Sequence, residues 1–412
     1  NGTMLWMCLY VDDVIIGGGT EKERLHETDM IFKEFPGKII EAADTPWINP
    51  GTVMYDINGV QVEINQESRT YLMHMERYID TVLKKFKMEE CKPCTQPRVN
   101  PELIQRDTDE VDFPIREALG CLIWLSTTAR PDITYDVSVM ARYVGTFGAT
   151  EGTMNGVKKI MRYLAGSKRR GLHYSPKREK DFKQRYEYLT STQMDEREYG
   201  AVERDAADFS KNVFVFSDAA FANCPLTLKS TTGSCIYFRG ALIAYKTSRQ
   251  TIITHSTMAS EYVAASDTFT FLETLEPHLR LFDPPEIGRS QLDFPVFVDN
   301  QSAIRVARGD VMTNGSKHLK LRYIKVSDNQ KRIFFVGTHD QEADAFTKSL
   351  GENIFAMMCL HEDESVVMSS DCRRWWKTDK GREWCRKEGT REDRESRNRT
   401  PVPWKFMGYG DR

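Results

Sequence analysis

Four acidic residues beside apolar runs constrain this sequence more than any other feature. Asp218 ends VFVFSD, Glu261 lies in TMASEYVAAS, Asp299 directly follows FPVFV, and Asp344 lies in QEADAFTKSL. A carboxylate that is buried without a partner costs free energy. Several carboxylates are tolerated together if they share divalent cations, for which carboxylate oxygens are suitable ligands. The pattern therefore predicts a site for Mg²⁺, with Mn²⁺ as an alternative ion.

Ordinary structural roles are the competing interpretation of each acid. Aspartate before a helix is a common N-cap, and glutamate in a helix is usually solvated. The order of predicted elements favours a shared site, because ligands bind in open mixed sheets where strand ends meet helix starts. Asp218 and Asp299 both follow predicted strands, and Glu261 borders the buried face of a predicted helix.

Length and composition indicate two or three hydrophobic cores and no strong overall charge. The chain has 412 residues and a formal net charge of −3, so overall charge argues neither for nor against nucleic acid. No apolar stretch approaches membrane-spanning length. The pair Cys91 and Cys94 lacks a second pair that would complete a zinc site, so we expect reduced thiols and a cytoplasmic protein. Because residue 1 is Asn, we expect a fragment or a processed product.

Hydrophobic periodicity predicts both strands and helices in the first part of the chain. The predicted elements are a hairpin formed by 4–10 and 14–16, a polar helix over 20–35, a hairpin over 52–66 that turns at Asn58-Gly59, an amphipathic helix over 70–88, a helical region over 114–144 interrupted near Pro131, and a helix over 153–165. Residues 176–212 are highly charged with few apolar residues, which predicts a linker or surface insertion.

The following segment predicts a mixed sheet. Its predicted elements are strands over 213–217, 233–238 and 241–247, a helix over 256–275, a strand over 295–298, a helix over 300–308, a strand over 332–337 and a helix over 341–350. Consecutive strands followed by alternating helices and strands predict a mixed sheet with helices on its faces, so the expected fold class is α/β and α+β. Residues 352–412 are charged without a sustained period, and we expect them to be mostly disordered.

Ordered segments of the chain resemble the Pol polyprotein of copia-type retrotransposons. The most similar segments are REALGCLIWLSTTARPDITYDVSVMARY, VKKIMRYLAGSKRRGLHYS, SDAAFANCPLTLKSTTGSCIYFRGALIAYKTSRQ, STMASEYVAAS, VDNQSAI, SKHLKLRY and DQEADAFTKSL. Upstream, YVDD and YIDTVLKKFKMEECKPCTQP resemble that family's reverse transcriptase. The resemblance implies a partial palm and the start of the thumb over 1–100, a helical thumb or connection over 101–175, a charged linker over 176–212, a ribonuclease H-like domain over 213–351 and a charged tail over 352–412.

The resemblance also implies roles for individual acids. Asp218, Glu261, Asp299 and Asp344 correspond to the ribonuclease H acids that hold two Mg²⁺ ions at the scissile phosphate. His339 is expected to help the product leave. Asp12 and Asp13 of YVDD correspond to polymerase metal ligands, but that family's site needs a third aspartate and the fingers, which would precede residue 1. We therefore expect an incomplete polymerase site in this chain.

Polar and basic residues are expected along a bound RNA–DNA hybrid. They are Lys229, Ser230, Thr231, Lys246, Asn300, Gln301, Ser302, Lys317, His318 and Arg322. Solvated surface is the competing interpretation of each of them. The expected partners are nucleic acid, the missing N-terminal Pol region and other element-encoded proteins, without a membrane. The expected location is the cytoplasm or particles of the element, with the nucleus as an alternative.

Two departures from the family pattern leave other functions open. The stretch from Arg322 to Asp344 is shorter than the family spacing, which would trim the helix before RIFFVG and displace Asp344. The tail after residue 351 has no counterpart in the family. A decayed element would bind nucleic acid in a salt-dependent way without cutting it. A domesticated protein that uses 110–165 as an interaction surface is the second alternative, and an exposed apolar patch there would support it.

Overall fold

A computed structural model describes most of the chain. The described residues are 4–10, 13–42, 51–191, 209–283, 293–309, 320–338 and 340–349. They belong to two compact units, which divide between Asp44 and Thr45. None of the described helices has the length and hydropathy of a membrane span.

The first unit is a β-hairpin followed by a helix. Strand β1 (Leu5–Tyr10) pairs antiparallel with β2 (Asp13–Gly18), which confirms the predicted hairpin. Helix α1 (Glu21–Glu34) begins after Thr20, whose side chain forms a reciprocal capping box with Glu23. Residues 4–9 and 13–42 are all exposed or only partly buried.

The second unit begins with a four-stranded antiparallel sheet. In spatial order its strands are β3 (Thr52–Ile57), β4 (Val60–Asn65), β5 (Thr70–His74) and β6 (Leu172–Tyr174). Asn58 and Gly59 both have positive φ, as the predicted two-residue hairpin turn requires. Because β6 comes from much later in the chain, this sheet joins the regions on either side of the helices described next.

The helix predicted over 70–88 is wrong in its first part. Residues Thr70–His74 form β5, which pairs with β4 on one edge and β6 on the other, and helix α2 covers Glu76–Lys85. Leu72 and Met75 fit a helical spacing, but pairing on two edges outweighs that weak local signal.

Helices build the first hydrophobic core of this unit. They are α3 (Pro101–Arg106), α4 (Ile115–Thr128), a 3₁₀ turn (Pro131–Ile133), α5 (Thr134–Phe147) and α6 (Glu151–Ala165). The predicted helical regions and the interruption near Pro131 are confirmed. Buried side chains of α2 and of these helices form one cluster, which includes Ile79, Leu83, Leu122, Leu125, Met140, Ile160 and Met161.

A buried ion pair lies in the connection between α4 and α5. The Nε and Nη2 atoms of Arg130 donate to the two carboxylate oxygens of Asp132 at 3.0 and 2.8 Å, and both side chains are fully buried. Tyr163 Oη donates to Asp132 at 2.6 Å, and Arg130 also donates to the carbonyl of Ser167 at 2.9 Å. Burial would raise the pKa of Asp132, but the charge and hydrogen bonds of Arg130 lower it below its ordinary value.

Part of the segment that was expected to be a charged linker is a packed helix. Helix α7 covers Pro176–Ser191, and its Phe182 ring lies 4.3 Å from the ring of Phe214 between centroids. A few aromatic and apolar side chains among many charged neighbours give little periodic signal, so composition alone indicates a linker. Residues 192–208 lie outside the described residues.

The second sheet has five strands that run in mixed directions. They are β7 (Val213–Ala220), β8 (Thr231–Phe238), β9 (Ala241–Arg249), β10 (Val296–Val298) and β11 (Ile333–Phe335). The spatial order is β11-β10-β7-β8-β9, in which β7, β8 and β9 are antiparallel and β10 and β11 run parallel to β7. The predicted strands and the mixed α/β fold class are confirmed.

Alternation along β7 separates the two faces of this sheet. Val213 and Val215 pack with helix α8 (Thr257–Phe282), whereas Phe214 and Phe216 pack on the opposite face. Two shorter helices follow, α9 (Gln301–Ala307) and α10 (Lys320–Asp328). The α-helix predicted over 341–350 is wrong in type, because Glu342–Phe346 forms a 3₁₀ turn, which we call the Asp344 turn.

Replacing Asp132 by Asn should destabilise the protein strongly. The change leaves Arg130 buried without a counter-charge, and breaking a buried pair in this way costs about 3–5 kcal/mol. Urea denaturation followed by circular dichroism measures the loss. The control Glu117→Gln breaks an exposed ion pair with Lys85 and should leave the midpoint nearly unchanged. Equal effects of the two changes would contradict the assigned importance of the buried pair.

Candidate metal centre

Three carboxylates meet at one edge of the five-stranded sheet. Strands β7 and β10 are parallel neighbours with Ser217 opposite Val298, so Asp218 and Asp299 lie side by side just beyond the last paired residues of the two strands. Helix α8 packs on the same sheet and brings Glu261 to this edge. One carboxylate oxygen each from Asp218, Glu261 and Asp299 lies within 4.8 Å of the others.

The Asp344 turn lies against this edge because β8 has a glycine beneath it. Gly233 is opposite Asp218 in the sheet. A Cβ atom on Gly233 would lie 2.7 Å from the carbonyl oxygen of Ala343, so a larger residue would push the turn away. Despite the shorter spacing, Asp344 lies near enough for its charge to raise the pKa of Asp218, although it is not one of the three acids whose oxygens converge.

Side-chain hydrogen bonds fix both ends of the Asp344 turn. Gln341 Nε2 donates to the carbonyl of Ser217 at 2.9 Å, and Gln341 Oε1 accepts from the N–H of Ala343 at 3.2 Å. At the other end, the hydroxyl of Thr347 donates to the carboxylate of Asp218. The backbone that carries the fourth acid is therefore attached to the strand that carries the first.

Burial and mutual repulsion disfavour ionisation of the acids. Burial, followed by the charges of Asp344 and Asp299, raises the pKa of Asp218 to about 7. Burial and the charges of Asp218 and Asp299 raise the pKa of Glu261 well above its ordinary value. Burial and the charge of Asp344 also raise the pKa of Asp299. All three acids therefore favour an environment that supplies positive charge.

The donor atoms at this edge fit a divalent cation. The converging donors are carboxylate oxygens, which are the ligands of Mg²⁺ and similar ions. Among the described residues, Glu261 Oε2 is buried without a hydrogen-bond partner, which is unfavourable for an ionised acid. A cation between Asp218, Glu261 and Asp299 would provide that partner and relieve the repulsion. The cluster can therefore hold a metal ion.

Helix α5 supports the site from the first core, which the sequence did not reveal. Asn223 Nδ2 donates to the carbonyl of Thr347 and to the hydroxyl of Tyr135, both at 3.2 Å. Asp136 Oδ2 accepts from the hydroxyl of Ser349 at 3.1 Å. Helical periodicity explained α5 as ordinary core, and no sequence signal distinguished the residues that reach the Asp344 turn.

Several residues expected at nucleic acid lie on the surface near this sheet. Lys246, Gln301 and Ser302 are exposed, and Asn300 caps α9 by accepting from the N–H of Ala303 at 2.9 Å. Lys229 is partly exposed, and its ammonium donates to the carbonyl of Thr251 at 2.5 Å. Their contact with nucleic acid stays a prediction.

Three other expected residues have partners within the fold. Ser230 is buried, and its hydroxyl accepts from the N–H of Ala222 at 3.0 Å. Thr231 is also buried, and its hydroxyl donates to Asn223 at 2.8 Å. Arg322 forms an ion pair with Asp267. Contact with nucleic acid would require these residues to exchange partners.

The structure does not test the remaining expected residues. Asp12, Lys317, His318 and His339 lie outside the described residues. Asp13 begins β2 in the first unit, opposite Tyr10. The structure therefore leaves their roles as predictions.

Replacing Asp136 by Asn should stabilise the protein at high pH. Burial raises the pKa of Asp136 to about 6. A raised pKa favours the protonated acid in the folded state, so this contribution is complete below about pH 4 and is lost as the pH rises through about 6. The neutral amide removes that loss, and we expect a gain of about 2 kcal/mol at pH 8 that disappears near pH 4.

Urea denaturation across this pH range measures the effect, with exposed Asp328→Asn as the matched control. A variant of Asp136 that is less stable than the wild type at pH 8 would show that the ionised acid is the favoured form.

The fold and the site define a mixed α/β protein with a carboxylate centre. The chain is similar to the retrovirus-related Pol polyprotein from transposon TNT 1-94 of Nicotiana tabacum, with 24% identity over 364 residues that cover 85% of this chain and 24% of that polyprotein. It is 24% identical over 365 residues to the polyprotein from transposon RE2 of Arabidopsis thaliana, which covers 86% of this chain and 21% of the relative. Identity to the polyprotein from transposon RE1 of the same plant is 25% over 368 residues, again 86% and 21% of the two chains.

These similarities confirm the resemblance to copia-type retrotransposon Pol polyproteins. The chain spans about a quarter or less of the length of these relatives. No protein-family model matches it, and no solved structure matches it significantly.

Proposed function

We propose that this chain is the part of a retrotransposon Pol polyprotein that cleaves RNA in RNA–DNA hybrids, a ribonuclease H. The observation that carries the proposal is the convergence of Asp218, Glu261 and Asp299 within 4.8 Å, with Asp344 beside them. All four acids lie in the segments that resemble the family's nuclease. A mixed five-stranded sheet flanked by helices is also the architecture expected for that domain.

The chain's own residues prepare the site for cations. Asp218, Glu261 and Asp299 would hold Mg²⁺, or Mn²⁺ in its place, and Asp344 would contribute to a second ion. When bound, such ions activate a water molecule and stabilise the leaving oxygen of a phosphodiester. Because the acids are buried and have raised pKa values, they release protons when a cation binds.

The proposed surface for the hybrid consists of exposed polar residues on β9 and at the start of α9. Lys246, Gln301 and Ser302 are exposed, and Asn300 lies at the start of α9 directly after Asp299. Contacts between such groups and backbone phosphates make binding depend on salt concentration. We leave Ser230 and Thr231 out of this surface, since both are buried.

The hairpin of the first unit is proposed as a remnant of a polymerase palm. Asp13 lies at its turn, and among the described residues no metal-binding group of acids forms there. We therefore propose no DNA-polymerase activity for this chain alone. An upstream Pol region as a partner and a location in the cytoplasm or in particles remain predictions.

A protein-interaction role for 110–165 has weaker support. The exposed large apolar side chains among these residues are Ile123 and Trp124, neighbours on α4. Two side chains are small compared with the buried area of about 800 Å² per partner in a stable interface. Nuclease activity is therefore the better supported function.

Replacing Asp299 by Asn should abolish Mg²⁺-dependent cleavage of the hybrid without unfolding the chain. The change removes one ligand charge and keeps the side chain's size. The full chain is incubated with end-labelled RNA–DNA hybrid, with and without Mg²⁺, and products with 5′-phosphate and 3′-hydroxyl ends are resolved by electrophoresis. Circular dichroism confirms the fold.

The exposed Asp328→Asn serves as the control and should cut like the wild type. Equal cutting by Asp299→Asn would contradict the assignment of this acid. Salt-dependent binding of the hybrid without cutting by the wild type would favour the decayed element over the nuclease.

Replacing Gly233 by Ala should reduce cleavage on the order of 100-fold, because a displacement of about 1 Å at a catalytic group has that effect. The added Cβ would collide with backbone of the Asp344 turn and move this acid from its partners. The control is Gly120→Ala on α4, where a Cβ meets no atom within 4 Å. Unchanged cleavage by Gly233→Ala would show that the position of the turn is not critical.

A further inference from the structure

The ammonium of Lys348 lies against the fourth acid of the site. Its Nζ is 2.7 Å from Oδ2 of Asp344, four residues earlier in the chain. The Lys348 side chain is 49% exposed, whereas that of Asp344 is 11% exposed. One end of the pair is therefore fixed in the fold, and the other can move into solvent.

The charge of Lys348 also acts on other acids at this edge. Burial would lower the pKa of Lys348, but the charges of Asp344, Asp218 and Asp299 raise it above its ordinary value. In return, the ammonium opposes the increase in the pKa of Asp218 and of Asp299. Lys348 is therefore a counter-ion of the acidic edge, and its effect is not limited to one surface pair.

The acids differ in whether a positively charged side chain already contacts them. Oxygens of Asp218, Glu261 and Asp299 converge within 4.8 Å, and Glu261 Oε2 has no hydrogen-bond partner among the described residues. Asp344 is not part of that converging group, and Lys348 contacts its Oδ2. The first three acids can accept a cation directly, whereas a cation at Asp344 meets a positive charge that is already there.

We propose that Lys348 is a tethered cation that holds Asp344 in the absence of metal and competes with the metal ion that binds through this acid. The inference rests on the proposed function and concerns the regulation of the same site. The site then fills in two stages. An ion among Asp218, Glu261 and Asp299 binds without displacing a positive charge, and an ion at Asp344 binds only when Lys348 moves into solvent.

The properties of lysine fit such a role. The ammonium is a compact, strongly hydrated charge on a flexible stem, so it regains hydration when it leaves the acid. Its attraction to Asp344 must be overcome when the metal binds, which weakens the apparent affinity for the second ion. The second stage therefore sets the metal concentration at which the complete site forms.

Mn²⁺ binding to the full chain without nucleic acid tests the proposal independently of activity. Electron paramagnetic resonance of free Mn²⁺ and isothermal titration calorimetry give the number of ions and their affinities. We expect one tighter and one weaker ion for the wild type. Lys348→Met should strengthen the weaker affinity about threefold to fivefold, as expected for a half-exposed ion pair, whereas Lys348→Arg keeps a competing charge and should leave it weak.

Two further variants make the result specific. The exposed Lys331→Met changes the net charge equally and should leave both affinities unchanged. Thermal unfolding in the presence of a chelator provides a second measurement. Lys348→Met should unfold at a lower temperature than the wild type, because the acids lose a counter-ion, and Mn²⁺ should stabilise this variant more than the wild type.

The outcomes separate this inference from the proposed function. If Asp299→Asn weakens Mn²⁺ binding but Lys348→Met does not strengthen it, the proposed competition is wrong and the metal centre is retained. Absence of Mn²⁺ binding by the wild type overturns both. The tethered cation is supported if the second ion binds more tightly to Lys348→Met than to the wild type, and if Lys348→Arg and Lys331→Met show no such change.

Discussion

The arrangement around the five-stranded sheet depends on one constraint, which is the repulsion among carboxylates at one buried edge of that sheet. Each acid comes from a different element, and the neighbouring strands β10, β7 and β8 must be in register for Asp218 and Asp299 to meet. In the absence of a cation, raised pKa values favour neutral acids and so reduce the repulsion. The hydroxyl of Thr347 and the ammonium of Lys348 reduce it further. The surrounding core has to be rigid enough to hold like charges together.

Packing around the Asp344 turn supplies much of that rigidity. The ring of Phe346 stacks on Tyr245 of β9 with centroids 5.5 Å apart, and the hydroxyl of Thr247 donates to the carbonyl of Phe346 at 2.8 Å. Gly233 allows the turn to approach the sheet closely. An acid carried by a free loop would move away from the other carboxylates, whereas this turn keeps Asp344 beside them.

The positions of the acids could be predicted from the sequence, but the groups that support them could not. Strand alternation in VFVFSD and the apolar run before Asp299 predict the strands that carry Asp218 and Asp299, and the structure has both strands, although β7 continues past Asp218 to Ala220. The ion pair of Arg130 and Asp132 resembles surface charge in the sequence, because only tertiary packing buries it. The inward packing of Phe182 is hidden for a similar reason, since its neighbours in the sequence are mostly charged.

These missed contacts extend the proposed nuclease beyond residues 213–351. Phe182 of α7 and Leu172 of β6 belong to the same buried cluster as Phe214, so a chain that began at residue 213 would expose that face of the sheet. On the other side, Asp136 of α5 bonds to Ser349, just after the Asp344 turn. The helical block therefore contributes directly to the support of the fourth acid. Because one set of contacts stabilises both regions, loss of packing in α5 would reach the acidic edge without altering any of its carboxylates.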